Sequence, residues 1–373
     1  MAETTKRKRK RAPRSRRAGC LRLLAVLIVT PLFLCACGVV GMHVYISFPV
    51  QRVIYGLKQN TNPALWAAKE SDMIALSCWK GIYTLYPDGS NLRNIHHGYI
   101  IGYRSELPWS ADGIWLAAPL HGLTEWRQGE VFNMRFDGSS SRRLTFNYTE
   151  DEHVHWSPDD RGLYYVNADR MYWVSADGRE MRELKELWRI GRSLSPVAWS
   201  PDGEWLVYEV HSYRDNLTEV RFRNYGGAGS NFELQVKDKV DDIVWAPDSD
   251  RVALETDDLM YVYSLKNESY DFEIKLNVVR AAWSPNGRWM ALQIYNPGAE
   301  TRNLKLFDTL NGDIQPLFDG AGFSPTWSPD NEWIAFTSGV EDRQLFKIRR
   351  DGRDLQQLTD LDCDIKVASW SPR

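Results

Sequence analysis

The stretch Ser324-Pro325-Thr326-Trp327-Ser328-Pro329-Asp330-Asn331-Glu332-Trp333-Ile334-Ala335-Phe336-Thr337-Ser338 decides the fold. It continues through Gln344-Leu345-Phe346-Lys347-Ile348-Arg349, Asp351-Gly352 and Leu355-Gln356-Gln357-Leu358-Thr359. Runs rich in β-branched and aromatic residues alternate with turn formers, which is the pattern of four short strands. Pro after Ser fixes φ for the first central turn position, and Asp suits the second. The fourth turn residue must accept a left-handed backbone, which Gly, Asn and Asp tolerate best.

The same motif recurs. Its Trp stands at 109, 156, 199, 245, 283, 327 and 370, with spacings of 47, 43, 46, 38, 44 and 43 residues. A period near forty-four suits a four-stranded blade. The fourth turn residue is Gly113, Asp160, Gly203, Ser249, Gly287 or Asn331 in successive copies. Downstream, Asp88-Gly89, Asp137-Gly138, Asp177-Gly178, Asn311-Gly312 and Asp351-Gly352 are hairpin signals joining the two outer strands. Two residues before each Trp stand Leu107, Val154, Val197, Ile243, Ala281, Pro325 and Ala368, a face expected to be buried between adjacent blades. The 16 Trp and 17 Tyr of the 373-residue chain agree with an all-β fold.

This repeat resembles the TolB-type propeller repeat, which is also found in the propellers of prolyl oligopeptidase and dipeptidyl peptidase IV relatives. The resemblance covers residues 66–373 and implies a seven-bladed β-propeller, without the α/β domain that precedes the TolB propeller. It is specific for architecture and nearly silent on activity. Residues 73–95 supply outer strands but lack a proper inner one, whereas Ile365 to Pro372 is an inner strand with nothing after it. A C-terminal strand is therefore expected to close the ring and remove its exposed edges. Cys363 precedes that strand and Cys78 ends the strand expected to pair with it. A disulfide between them would staple the closure, although the expected register leaves them about three residues apart.

The formal charge of -3 hides two opposed regions. Residues 1–22 hold ten of the 46 Lys and Arg and one of the 49 acids, a basic tail on an otherwise acidic chain. An acidic folded part argues against nucleic acid as a partner. Residues 23–48 carry no charge and are apolar enough for a transmembrane helix. The positive-inside rule then puts the tail in the cytoplasm, a linker at 49–65, and the propeller outside the cell membrane. In an alternative reading, Leu34-Cys35-Ala36-Cys37 is a lipoprotein box with Cys37 as the lipidated residue.

Three residues before each Trp stand Glu106, His153, Pro196, Asp242, Arg280, Ser324 and Val367. Their parity opposes the buried face, so they should ring the channel mouth. Loops carrying Trp79, His121, Trp126, His211, Tyr213 and Tyr295 should surround them. Such a ring of mixed charge with aromatic neighbours suits a protein, peptide or envelope polymer. Asp151, His153 and His155 alternate onto one side of a strand and form an alternative, metal-ligating set for a lyase or hydrolase acting on glycans. There is no Gly-x-Ser-x-Gly elbow and no hydrolase segment after the repeats, so no catalytic residue and no cofactor is assigned. The expectation is a non-enzymatic binding scaffold.

Overall fold

Each Ser-Pro-Asp turn ties itself together before any blade packs. In the copy at 328–333, the Asn331 amide donates to the Ser328 carbonyl (3.1 Å) and the Ser328 hydroxyl donates to Asp330 (2.6 Å). The Glu332 amide then donates to Asp330 (3.0 Å), and the Trp333 amide to the Ser328 hydroxyl (2.9 Å). All six fourth residues adopt φ between 56° and 75°, Ser249 included. The turn thereby reverses the chain between the inner strand and the one outside it.

The computed structural model describes residues 72–98, 106–121, 129–147, 149–168, 170–184, 197–212, 217–226, 229–298, 301–339 and 341–372, with backbone only at 211, 212 and 217. The basic tail, the apolar segment and the linker lie outside the described residues, as do Trp126 and Tyr213. Among the described residues no helix is long and apolar enough to cross a membrane.

Seven antiparallel sheets form a seven-bladed propeller. Blade 1 is Ile74–Cys78, Gly81–Leu85 and Arg93–His96, with Val367–Trp370 as its inner strand. Blade 2 is Trp115–His121, Gly129–Arg135 and Ser141–Arg143, its inner edge reduced to a bridge from Trp109 to Leu116. Blade 3 comprises Asp151–Trp156, Gly162–Asn167, Arg170–Ser175 and Met181–Glu183, and blade 4 comprises Val197–Trp199, Trp205–Ser212, Leu217–Asn224 and Phe232–Val236. Blade 5 runs from Val240–Trp245 through Arg251–Thr256 and Met260–Ser264 to Ser269–Ile274. Blade 6 runs from Val278–Trp283 through Trp289–Asn296 and Thr301–Asp308 to Ile314–Phe318. Blade 7 has Gly322–Trp327, Trp333–Ser338, Gln344–Arg349 and the short Gln356–Gln357.

The ring closes by pairing the two ends of this region, with Ile74 opposite Trp370 and Ser77 opposite Val367. Cys78 would then face Lys366, three residues from Cys363, yet the two cysteines are disulfide-bonded with Cα atoms 6.0 Å apart. The reason is that the chain before Val367 leaves strand geometry: the Lys366 amide still bonds Ser77, but the Ile365 amide turns to Arg343. That bend brings Cys363 back over Cys78, both 1% exposed. A three-residue offset excludes a disulfide only where the strand continues straight.

A recurring geometry of the Trp side chains holds blade to blade, the Trp199 indole N–H making no such bond among the described residues. Trp156, Trp245, Trp283 and Trp327 each donate their indole N–H to a carbonyl in the preceding blade, that of Pro108, Ala198, Val244 and Ala282, at 2.9 to 3.3 Å. Each acceptor is the residue just before the preceding blade's Trp. Trp109 does the same with Ser369 across the closure (3.2 Å), and Trp370 donates to the Asp72 carboxylate instead (2.6 Å). The residues two before each Trp are all buried. A buried indole N–H needs such a partner, because an orphaned donor costs about 1–3 kcal/mol.

A second set of links comes from the strand next to the inner one. Glu255 accepts the Ala281 amide (2.6 Å) and Gln293 accepts the Ser324 amide (3.0 Å), each in the following blade. Glu209 holds the equivalent place in blade 4 and lies beside the Val240 amide of blade 5, which works to lower its pKa. It is 1% exposed, and burial is the largest of the effects that push its carboxyl up to about 7.

Candidate functional site

The inner strands reach the channel through bulges. One extra residue is inserted between Glu152 and His155, between Val240 and Asp242, between Val278 and Arg280, and between Phe323 and Thr326. A bulge twists the strand and re-aims the side chains beside it. His153 and Ser324 take this up with φ of 50° and 49°, unusual for residues other than glycine. The ladder thus breaks at position three before the Trp in blades 3 and 7 and one residue earlier, at Asp241 and Val279, in blades 5 and 6.

Side chains at position three meet. Arg280 of blade 6 lies 3.4 Å from Glu106, which leads into blade 2, and 3.5 Å from the Ser324 hydroxyl of blade 7. Blades 2 and 6 are three steps apart around the ring, so the ion pair spans the channel. Burial works to raise the Glu106 carboxyl, but the Arg280 guanidinium, followed by His155 and His153, outweighs it and holds the pKa below the usual carboxylate range. Burial lowers the His155 pKa more than Glu106 raises it, which keeps that imidazole neutral near pH 7.

Beside this bar lies a cavity of about 770 Å³, lined by blades 2 to 5 together with Pro372. Glu106, His153, His155 and Asp242 all line it, with Glu150, Glu152 and Asp241 as further carboxylates. Outside the cavity wall, the neighbouring charge of Asp241 is the main reason that the Asp257 carboxyl is raised. The expected ring residues Glu106, His153, Asp242 and Arg280 therefore converge, through the cavity wall and the ion pair. His121 does not join them. It is 7% exposed at the end of a blade 2 strand, and its carbonyl lies close to Gly98.

Asp151 departs from expectation as well. It lines the same cavity as His153 and His155, but the bulge breaks the strand alternation between them. Its carboxylate instead accepts from Thr145 (2.5 Å), Asn147 (2.9 Å) and Asn167 (2.6 Å) in a buried network. Burial raises its pKa against these three donors. Among the described residues no three His, Cys, Asp or Glu side chains are grouped so as to hold a metal ion. The alternative metal set of Asp151, His153 and His155 is therefore not assembled. Glu150, Glu152 and Asp241 escaped notice in the sequence because acids in loops and strand ends are the commonest solvated residues, and only the bulges bring them to the cavity.

No protein family matches the chain, and no curated protein matches it in sequence. Solved structures do. Oligogalacturonate lyase in complex with manganese superposes with a TM-score of 0.58 at 14% identity, covering 78% of this chain and 86% of that one. A candidate 6-phosphogluconolactonase from Bacteroides uniformis gives 0.55 at 11% identity, over 81% of this chain and 99% of that one. TolB from Acinetobacter baumannii gives 0.50 at 14% identity, over 82% and 68%. At such identities the likeness is one of fold alone.

Proposed function

We propose that this chain is a non-enzymatic binding module that receives a protein, peptide or envelope polymer at the channel mouth. The observation that carries the reading is the cavity of about 770 Å³ beside the Glu106–Arg280 bar, walled by carboxylates and two imidazoles. Its principal charged pair joins two protein groups, and Asp151, the residue a metal reading most needs, is spent on structure. A concave site of this size, with carboxylates and imidazoles set among tryptophans and other apolar side chains, suits recognition of a ligand of mixed polarity. The apolar segment at 23–48 serves as a membrane anchor in this reading, with the propeller outside and the basic tail inside. Lipidation at Cys37 is the competing mode of anchoring.

A photo-crosslinking residue at position 242 of the full-length chain, in its source membranes, tests this. A discrete adduct that weakens when Arg280→Ala opens the bar supports it. A second reading makes the chain a metal-dependent lyase or hydrolase on glycans; what favours it is that His153 and His155 both lie within electrostatic reach of Glu106. Breakdown of oligogalacturonate by purified protein with added manganese, lost in His153→Ala, would replace the first reading by the second.

A further inference from the structure

The wall of the channel cavity is charged with one sign. With Asp151 and Asp160, the carboxylates already named make seven on that wall, and none of its described residues is Lys or Arg. Glu106, held below the usual carboxylate range, is ionised at neutral pH. The flanking chain outside the described residues does not reverse that sign. Residues 99–105 carry one net positive charge and residues 185–196 carry two, while 122–128 and 213–216 are neutral overall. Were all of these charges to face the cavity together with Arg280 and Lys239, which pair with Glu106 and Asp241, the wall would remain negative.

The carboxylates are also spread out. They come from the approach to blade 2, from both ends of the inner strand of blade 3 and from the start of blade 5. Among the described residues no three are grouped so as to hold one metal ion. Charges spaced in this way suit an extended ligand with several separate cations, each meeting its own carboxylate.

The same wall holds Trp109, Trp156, Trp199 and Trp245, with Val154 and Ile243. Apolar stems that end in a cation, the form of Lys and Arg side chains, satisfy both kinds of surface at once. An amino-sugar polymer has the cations without the stems. The ring shows the arrangement within itself: the Arg251 guanidinium lies 5.0 Å from the Trp283 ring centroid while pairing with Asp248 at 2.6 Å. Trp283 is the blade 6 counterpart of the four cavity tryptophans. A guanidinium over an indole face is attracted by the ring quadrupole and stacks flat on it.

We propose that the occupant of the channel cavity is a basic peptide segment, whose Lys or Arg heads meet the carboxylates of blades 2, 3 and 5 and whose stems lie on the tryptophans. The proposal rests on the reading of the channel as a binding site, and adds the charge and chemical class of its partner.

Fluorescence anisotropy of a fluorescein-labelled hexa-arginine peptide with the purified full-length chain, at about 0.1 M salt, tests it. Hexa-arginine is expected to bind and hexa-glutamate not to bind. Joint substitution of Glu152→Gln and Asp242→Asn in the cavity should weaken hexa-arginine at least about tenfold. Joint substitution of Asp271→Asn and Glu273→Gln, on the outer strand of blade 5, should leave its binding unchanged. No binding of hexa-arginine, or equal binding to the cavity variant, overturns the basic peptide. Hydrogen exchange on the unsubstituted chain needs no variant: hexa-arginine is expected to slow exchange over Asp151–Trp156 and Val240–Trp245, and slowing confined to other strands also overturns it. The photo-crosslink at position 242 separates this failure from failure of the reading beneath it. A discrete adduct alongside any of these negative results keeps the channel as a binding site and removes only the basic partner.

Discussion

Glu209→Gln makes the sharpest single test of how the blades are latched. The Glu209 carboxyl is 1% exposed and is pushed from 4.5 to about 7 by burial, with Asp241 raising it further and Lys239 and the Val240 amide pulling it down. A raised carboxyl binds its proton more tightly when folded than when unfolded. Its contribution is therefore full below about pH 4.5 and is lost as pH rises through about 7. At 1.36 kcal/mol per pH unit, the loss amounts to about 3 kcal/mol at most by pH 8. Glutamine keeps a carbonyl oxygen beside the Val240 amide, as Gln293 keeps one on that of Ser324 two blades on, and never ionises. Urea unfolding of both proteins from pH 4 to 8 should give nearly equal stability at pH 4 and a growing advantage for the variant above pH 5. A difference that stays constant with pH, or a variant less stable at pH 8, refutes the reasoning. Taking the difference between the two proteins removes the opposing titration of groups such as Asp364, held down at about 2.

Trp327→Phe should cost roughly 1 kcal/mol more than Trp199→Phe in denaturant unfolding, because only the first strands a carbonyl acceptor, that of Ala282. Deleting Ala368 to Arg373 should destabilise the whole ring, since it strips blade 1 of its inner strand; native-like thermal unfolding of the truncated chain would sink this. Replacing Cys78 and Cys363 by Ala should cost up to about 5.6 kcal/mol, the chain-entropy estimate for a loop between cysteines 285 positions apart. Two free thiols in the oxidised, folded protein would contradict that assignment. Arg280→Ala leaves Glu106 without its counter-charge, so the Glu106 carboxyl should titrate at higher pH, as followed by carboxylate-selective NMR.

The architecture was legible because it is written in residues whose physical demands are rigid. The turn after each Trp needs a left-handed fourth residue, and even Ser249 complies. The hydrophobic period that buries Leu107, Val154 and their counterparts fixes the blade interface, and the half-blades at the two ends fix the closure. The site was less legible, and the bulges explain why. Strand parity assigned Asp151, His153 and His155 to one side, but an extra residue after Glu152 sends Asp151 into the Thr145–Asn167 network. Nothing in the local sequence marks that insertion. The disulfide eluded register arithmetic in the same way, through a bend before Val367. The latch residues Glu209, Glu255 and Gln293 read as polar interruptions of hydrophobic strands, and their partners are visible only in the neighbouring blade.

The central claim is that the channel is a recognition site without a metal centre. Elemental analysis by inductively coupled plasma mass spectrometry on the purified full-length chain, beside a His153→Ala variant, tests it most directly. The account predicts no stoichiometric transition metal in either protein. One metal ion per chain, lost on substitution of His153, would contradict it.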